Sequence, residues 1–584
     1  MTRFFGDCEV IVRFRKSYNL THFHYTKSQT KPNCVLHNTI HNTAVLIVMK
    51  ISLKQGTLQG VKKVSRSSGK PFYSFLGIPY AKPPIDLLRF KAPQPHEGWT
   101  GILNATENKT LCPQIDKLVK NSIVGNEDCL YLNIHIPEDP HSIKVPKPVM
   151  VFIHGGGFVW GYGNMYRADY LINYDVILVT FNYRLNVFGF LNLDLPECPG
   201  NVGLKDQIMA FSWIRENIAA FGGDPRNITA FGESAGAACV HYLMLCPASR
   251  GLFDKAILQS GSAICPWAFT KNKTQYAFLL GKTLGCNTTD KRELLDFLME
   301  VSAHDVVKAQ ATMLKEASKH EVIRLLFVPS IEERSGSDVL LPDDPKNLLT
   351  NTMKIPVITG INELEGLIMV FGKSLSDIAW INNNFNVLPN DIEPFSKRFP
   401  QIEQKVKEFY FGNNKPVCEE TFPQLITLFT DTAFSNNLYD VTKPLLENGL
   451  QSPVFLYKFS YESHFNMVKQ LVMAEHNFSD LEGPAHADEL FYLFVVDFGI
   501  NIFHEGEEKL VDLFCKGWTN FAKFGSPASS SLPWKSTSLH NPNYLSITDQ
   551  PEMKEGLIDE NRMKFWSSLR RELKLSNDST SSKL

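Results

Sequence analysis

One short string narrows the folds open to this chain more than any other: Phe231-Gly232-Glu233-Ser234-Ala235-Gly236. It follows an apolar, β-prone run, Ile228-Thr229-Ala230-Phe231, and leads into a helix-forming run from Ala237 to Leu245. Strand, G-x-S-x-G, helix is the setting of a nucleophile elbow. The turn is sharp, the serine is strained, and its hydroxyl stands above the sheet. Glycines two residues to either side keep bulk away, so strand and helix can close on each other. The helix begins behind the serine with its first amides unpaired. The same string also arises as an ordinary Gly-rich turn, and the chain has 36 glycines. It identifies a catalytic serine only together with an oxyanion hole, an acid and a histidine.

Those partners are present in the order Ser, acid, His. Upstream, Val149-Met150-Val151-Phe152-Ile153 reads as a buried strand, followed by His154-Gly155-Gly156-Gly157-Phe158. Consecutive glycines leave backbone amides unscreened and able to converge on one point. The expected oxyanion donors are the amides of Gly156, Gly157 and Ala235. Each such donor is typically worth about 2.7–4 kcal/mol at the transition state. A histidine on a loop comes in Gly483-Pro484-Ala485-His486-Ala487-Asp488-Glu489-Leu490, with a helical run read from Asp488 to Phe494. His154 reads as a structural hydrogen bonder and His241 as a packing residue on the helix after the elbow. For the acid, a strand at 355–360 leads into Asn362-Glu363-Leu364-Glu365-Gly366. Glu363 and Glu365 compete, and an extended segment points both to the same side.

Taken together, these residues resemble the type-B carboxylesterase and cholinesterase family of α/β-hydrolases. The resemblance runs from about Ile51 to about Leu573. It also rests on Glu127-Asp128-Cys129-Leu130-Tyr131-Leu132-Asn133, Phe181-Asn182-Tyr183-Arg184-Leu185 and Asn201-Val202-Gly203-Leu204-Lys205-Asp206-Gln207. Phe221-Gly222-Gly223-Asp224-Pro225, Gln259-Ser260-Gly261-Ser262 and Trp518-Thr519-Asn520-Phe521-Ala522 match further blocks. The wording around His486, and Cys265-Pro266-Trp267-Ala268, are most similar to insect alpha-esterases. The resemblance implies a large, mainly parallel central sheet flanked by helices. It implies Glu365 as the acid, His486 as the base and Ser234 as the nucleophile. Glu233 is a neighbour of the site with no proton transfer assigned. The implied reaction is ester hydrolysis through an acyl-enzyme, requiring no metal, cofactor or nucleotide. A slow-turnover scavenger of esters or organophosphates is the alternative, because it uses the same triad.

The resemblance also bears on substrate. Trp267 falls where the family lines the acyl side of its gorge, although core packing explains a tryptophan equally well. Cholinesterases bind quaternary ammonium on a tryptophan before the E-D-C cysteine. Here no aromatic lies between Cys112 and Cys129, so choline esters are not expected. Glu233-Ser234 also differs from the Gln-Ser form common in juvenile hormone esterases. Broad aliphatic or aryl esters, of xenobiotic or lipid origin, are the expected substrates.

Length would suggest several domains, yet the matching blocks span the chain, so residues 49–573 are expected to form one hydrolase domain. Strand-like runs at 147–153, 176–182, 227–231, 355–360 and 453–459 alternate with helical stretches, as a parallel sheet requires. A net charge of −2 gives no case for nucleic-acid binding. Lys62, Lys63, Arg66 and Lys70 read as a solvated hairpin. No run of 18 apolar residues exists, so no membrane span is expected. Residues 1–48 match no family block and contain no secretory signal pattern. Three readings stand for them: Met49 as the natural start, a transit peptide, or a disordered arm. Cys112 and Cys129 fall on the family's first disulfide, while Cys286 has no counterpart in Asp296-Phe297-Leu298, which fits a reducing compartment. The sequons at Asn104, Asn108 and Asn227 point the other way only if the chain is secreted. The segment 574–584 reads as a flexible tail ending Ser582-Lys583-Leu584, a peroxisomal import signal. Cytoplasm and peroxisome are the expected compartments.

Overall fold

The run Lys147–Ile153 is apolar and buried over its last five residues, as a strand covered on both faces should be. Its alternate residues do face opposite layers. The computed structural model describes residues 48–581, apart from 117–121, 319–324, 334–338, most of 384–399, 413–414, 448–451, 475–480 and 497–506. Within it, β1 (Val48–Leu53), β2 (Gly56–Val64), β3 (Pro71–Pro79) and β4 (Tyr131–Ile136) precede β5 (Lys147–Ile153) and β6 (Ile177–Phe181). Then come β7 (Gly223–Glu233), β8 (Lys255–Gln259), β9 (Val357–Asn362), β10 (Val454–Phe459), β11 (Asn543–Ile547) and β12 (Glu552–Glu555). They join a 13-stranded sheet in the order β1-β2-β3-β4-β6-β5-β7-β8-β9-β10-β11-β12, with the short strand Ile102–Asn104 beside β2.

From β6 to β11 in that order, every neighbouring pair is parallel. The β1–β4 edge and β12 are antiparallel. All five strand-like runs of the sequence overlap sheet strands; 147–153 and 227–231 lie wholly within them, and 176–182, 355–360 and 453–459 overrun theirs by one or two residues at an end. Helices α1 (Val202–Asn217), α2 (Ala235–Leu245), α3 (Phe422–Thr430), α4 (Asn436–Glu447), α5 (Met467–Met473), α6 (Glu508–Phe524) and α7 (Glu560–Ser581) flank the sheet or the loops beyond it. Val149, Val151 and Ile153 share a core with Ala237 and Val240 of α2. Met150 and Phe152 share another with Phe514 and Trp518 of α6. The sheet is thus the middle layer of three.

Two local readings change. The run after His486 is a short 3₁₀ turn, Asp488–Tyr492, rather than an α-helix. The polar stretch read as a flexible tail is helical to Ser581 within α7. Residues 1–47 and Ser582-Lys583-Leu584 lie outside the described residues. Lys62 and Lys63 sit on β2, and Arg66 and Lys70 on the turn into β3, as a hairpin strip. Cys112 and Cys129 form a disulfide, and Cys286 is unbridged. Among the described residues no helix is long and apolar enough to cross a membrane.

The elbow depends on close approach. A Cβ on Gly236 would lie 2.0 Å from the carbonyl oxygen of Ile153, and one on Gly232 would lie 2.7 Å from the same oxygen. α2 therefore meets the end of β5 backbone to backbone. Gly236→Ala is expected to cost about 1–3 kcal/mol of stability through overpacking, read as a lower urea midpoint. An unchanged midpoint would contradict this packing.

Candidate active site

Ser234 follows the last residue of β7 and precedes the first of α2. Its backbone sits at φ 58°, ψ −124°, a conformation costing on the order of 1–3 kcal/mol for a residue with a Cβ. Its amide donates to the Gln259 carbonyl at 2.8 Å, and its carbonyl accepts from Ala238 at 2.9 Å. These bonds tie the turn to β8 on one side and α2 on the other. The end of β5 supplies the glycine loop, where Gly156 and Gly157 adopt φ 100° and 62°. A side chain on Gly156 would also strike the Trp160 carbonyl, 2.1 Å from a built Cβ. His154 serves this loop. Its Nδ1 meets the Gly155 carbonyl at 2.9 Å, its ring stacks on Tyr183, and burial lowers it to about 4.

Glu365 and His486 meet through two loops joined to each other. The Leu364 amide donates to the Pro484 carbonyl at 2.9 Å, and Leu364 bridges Ala485. Glu365 is fully buried. Its Oε2 accepts from His486 Nδ1 at 2.6 Å, while Oε1 accepts from the Ser260 hydroxyl and, at 2.7 Å, from the Asn362 amide. Glu363 instead binds Lys458 Nζ at 2.9 Å and the Ser460 hydroxyl at 2.7 Å. The two carboxylates part because the chain is not extended there: a 3₁₀ turn, Glu365–Val370, begins at the second.

The other face of the His486 ring holds a residue that sequence left without a role. Glu233 Oε1 lies 3.0 Å from His486 Nε2, at an angle that makes no hydrogen bond. No hydrogen bond joins Ser234 Oγ to the ring. Glu489 adds a third buried carboxylate, held by Gln259 Nε2 at 3.1 Å and Asn362 Nδ2 at 2.5 Å. Burial pushes the Glu233 carboxyl up to about 8, against His486 and with Glu489 and Glu365. Burial, then the Glu365 charge, lifts Glu489 to about 7. For the His486 ring burial acts downward, but Glu233, Glu365 and Glu489 outweigh it and hold it above its ordinary 6.5. No period of the sequence announces Glu489: it lies on the 3₁₀ turn Asp488–Tyr492, which His486 precedes across a left-handed Ala487. Ser260 and Gln259 stood inside a matched block without a chemical reason attached.

Asp488 anchors the histidine loop. It accepts from the Ala485 amide at 2.7 Å and from Val468, at the start of α5, at 2.7 Å. Trp267 is buried, and its indole donates to the Ala433 carbonyl at 3.2 Å. It packs on Phe434, whose centroid lies 4.8 Å from the His486 ring. Phe434 belongs to a π-turn, Asp431–Ser435, between α3 and α4. Arg562 of α7 grips that turn through Asp431 at 2.8 Å. It also pairs with Asp559 at 2.6 Å, and Asp559 with Lys458 at 2.7 Å.

A parallel sheet with a serine elbow at one strand end and a His–Glu pair on loops beyond later strands is the α/β-hydrolase fold. The carboxylesterase family model matches residues 48–566, and the chain belongs to that family. Esterase FE4 of Myzus persicae is 35% identical over 526 residues, 86% of this chain and 89% of the relative. Juvenile hormone esterase of Tribolium castaneum is 34% identical over 520 residues, 85% and 87% of the two chains. The crystal structure of juvenile hormone esterase from Manduca sexta, with OTFP covalently attached, superposes with a TM-score of 0.79 at 29% identity. That match covers 90% of this chain and all of the other. The protein is thus a serine hydrolase that cleaves carboxylic esters.

The carboxylates around His486 make a measurable prediction. The ring should titrate above 6.5 in the folded protein, by NMR of ¹³C-labelled histidine. Glu233→Gln removes a charge that raises it, so the midpoint should move to lower pH. A midpoint that stays put would show that Glu233 does not act on the ring.

Proposed function

We propose that Ser234, His486 and Glu365 carry out the ester hydrolysis. The observation that supports this most directly is the 2.6 Å bond from His486 Nδ1 to buried Glu365, reached by loops that open beside the elbow. That bond keeps Nδ1 as the donor and Nε2 as the acceptor. In the complex with ester, Nε2 takes the Ser234 proton as Oγ attacks the carbonyl carbon. The tetrahedral oxygen falls to the amides of Gly156, Gly157 and Ala235, which donate no other hydrogen bond among the described residues. The alcohol leaves with the proton from His486. Water, deprotonated by the same nitrogen, then attacks the acyl carbon, and Ser234 is restored as the carboxylic acid departs. Glu365 stays ionised and stabilises the charged ring at both steps.

Broad aliphatic or aryl esters fit this reading, with Trp267 and Phe434 forming an apolar wall beside His486. The absence of any aromatic between Cys112 and Cys129 speaks against choline esters, and xenobiotic or lipid esters remain the proposed class. For the compartment, import at Ser582-Lys583-Leu584 rests on sequence alone, with cytoplasm as the alternative.

Ser234→Ala should abolish sustained p-nitrophenyl acetate turnover, by at least roughly 10⁴-fold, while circular dichroism stays unchanged. Full activity in that variant would refute the assignment. A burst without turnover in the unmodified protein would instead indicate scavenging. A tagged chain should lose punctate signal when Ser582-Lys583-Leu584 is removed. Diffuse signal with or without the tripeptide would place the protein in the cytoplasm.

A further inference from the structure

Beneath α4 lies a cleft of about 220 Å³ that none of the proposed chemistry uses. Ser435, the last residue of the π-turn, and Leu438, Tyr439, Thr442 and Leu446 of α4 line it as one stripe, with Lys443 beside the stripe. This is the i, i+3, i+4, i+7 spacing of a helical face. The opposite wall is largely apolar, formed by residues such as Leu456, Ile558 and Met563. Among the described residues that line the cleft none is acidic, and Lys443 is the only cation. Lys443 is exposed and makes no ion pair among the described residues, even with Glu447 one turn on. At the other end, Ser435 is 3% exposed, and its hydroxyl has no hydrogen-bond partner. An unpaired hydroxyl at that depth costs free energy unless a ligand satisfies it.

We propose that this cleft binds a medium-chain alkyl carboxylate. The carboxylate pairs with Lys443 at the rim, and the chain runs inward along the apolar walls toward Ser435. Ser435 and Lys443 are eight positions apart, about 12 Å along a helix, which an extended acid such as decanoate spans. The Ser435 hydroxyl selects for an oxygen at the far end, so ω-hydroxydecanoate binds more tightly than decanoate. The charge of Lys443 disfavours alkylammonium ions and leaves alkanols weaker. Ser435 directly follows Phe434 on the π-turn, so occupancy bears on the wall beside His486 without filling the space above Ser234.

The test is calorimetric titration of the full chain, its Ser234 blocked by an organophosphate, with decanoate, ω-hydroxydecanoate, decanol and decylammonium. Lys443→Glu should weaken decanoate binding by about tenfold and Lys443→Arg should not. Leu446→Trp, which fills the cleft, should abolish the binding, and Ser435→Ala should erase the preference for the ω-hydroxy acid. Lys443→Glu and Leu446→Trp lie outside the catalytic residues, so unchanged ester hydrolysis without ligand reports their folding. Ser234→Ala should bind decanoate as the unmodified chain does, which separates this site from the assigned chemistry. Binding unchanged in both Lys443→Glu and Leu446→Trp, or decylammonium binding as well as decanoate, would overturn the proposal.

Discussion

The carbonyl of Ile153 lies where the end of one strand meets the first turn of the helix after the next, with no side chain between them. A Cβ on either elbow glycine would strike that oxygen, and one on Gly232 would also strike the Gly236 backbone. Because α2 can press so close, its unpaired first amide lies beside the glycine loop that continues β5. Ser234 holds its unusual backbone conformation at this same junction, with β8 fixing its amide. The glycine loop, Ser234 and the packing of the middle layer thus share one steric condition. Relaxing it would move all three together.

The second organising fact is electrostatic. Glu233, Glu365 and Glu489 are all nearly or fully buried around one imidazole. Removing such charges from water is expensive unless each is paired or takes up a proton. Glu365 is paired three ways, Glu489 is held by two side-chain amides, and Glu233 lacks a donor on one oxygen. The weakest-supported carboxylate is therefore the one beside the imidazole nitrogen that faces away from Glu365. Asp488 contributes differently, by fixing the backbone of the loop to the start of α5.

The fold was legible where burial was two-sided, because continuous apolar runs such as Val149 to Ile153 have few other uses. Ser234, His486 and the glycine loop were legible because sharp turns demand glycine at fixed offsets. Glu365 and Glu363 were not separable by pattern. The choice turns on a 3₁₀ turn beginning at Glu365, and no periodicity of the segment announces it. Glu489, Ser260 and Phe434 escaped for a related reason: each reaches the site through tertiary contact across more than a hundred residues or through a short irregular turn. The helical run after His486 forms as a 3₁₀ turn two residues shorter than read, because helical composition over so few residues does not distinguish an α from a 3₁₀ turn. The polar end of α7 was read as tail because it lacks an apolar stripe.

Arg562 gives the architecture a direction in time. It sits near the start of the last helix, yet it grips the π-turn that carries Phe434 and pairs with Asp559, which in turn holds Lys458 next to Glu363. A ribosome delivers the elbow more than three hundred residues before this clasp. A nascent chain therefore carries Ser234 well before the segments that lock the Phe434 turn and the Glu363–Glu365 loop. The frame of the site thus depends on α7, and chains interrupted before it would display the motif without that frame.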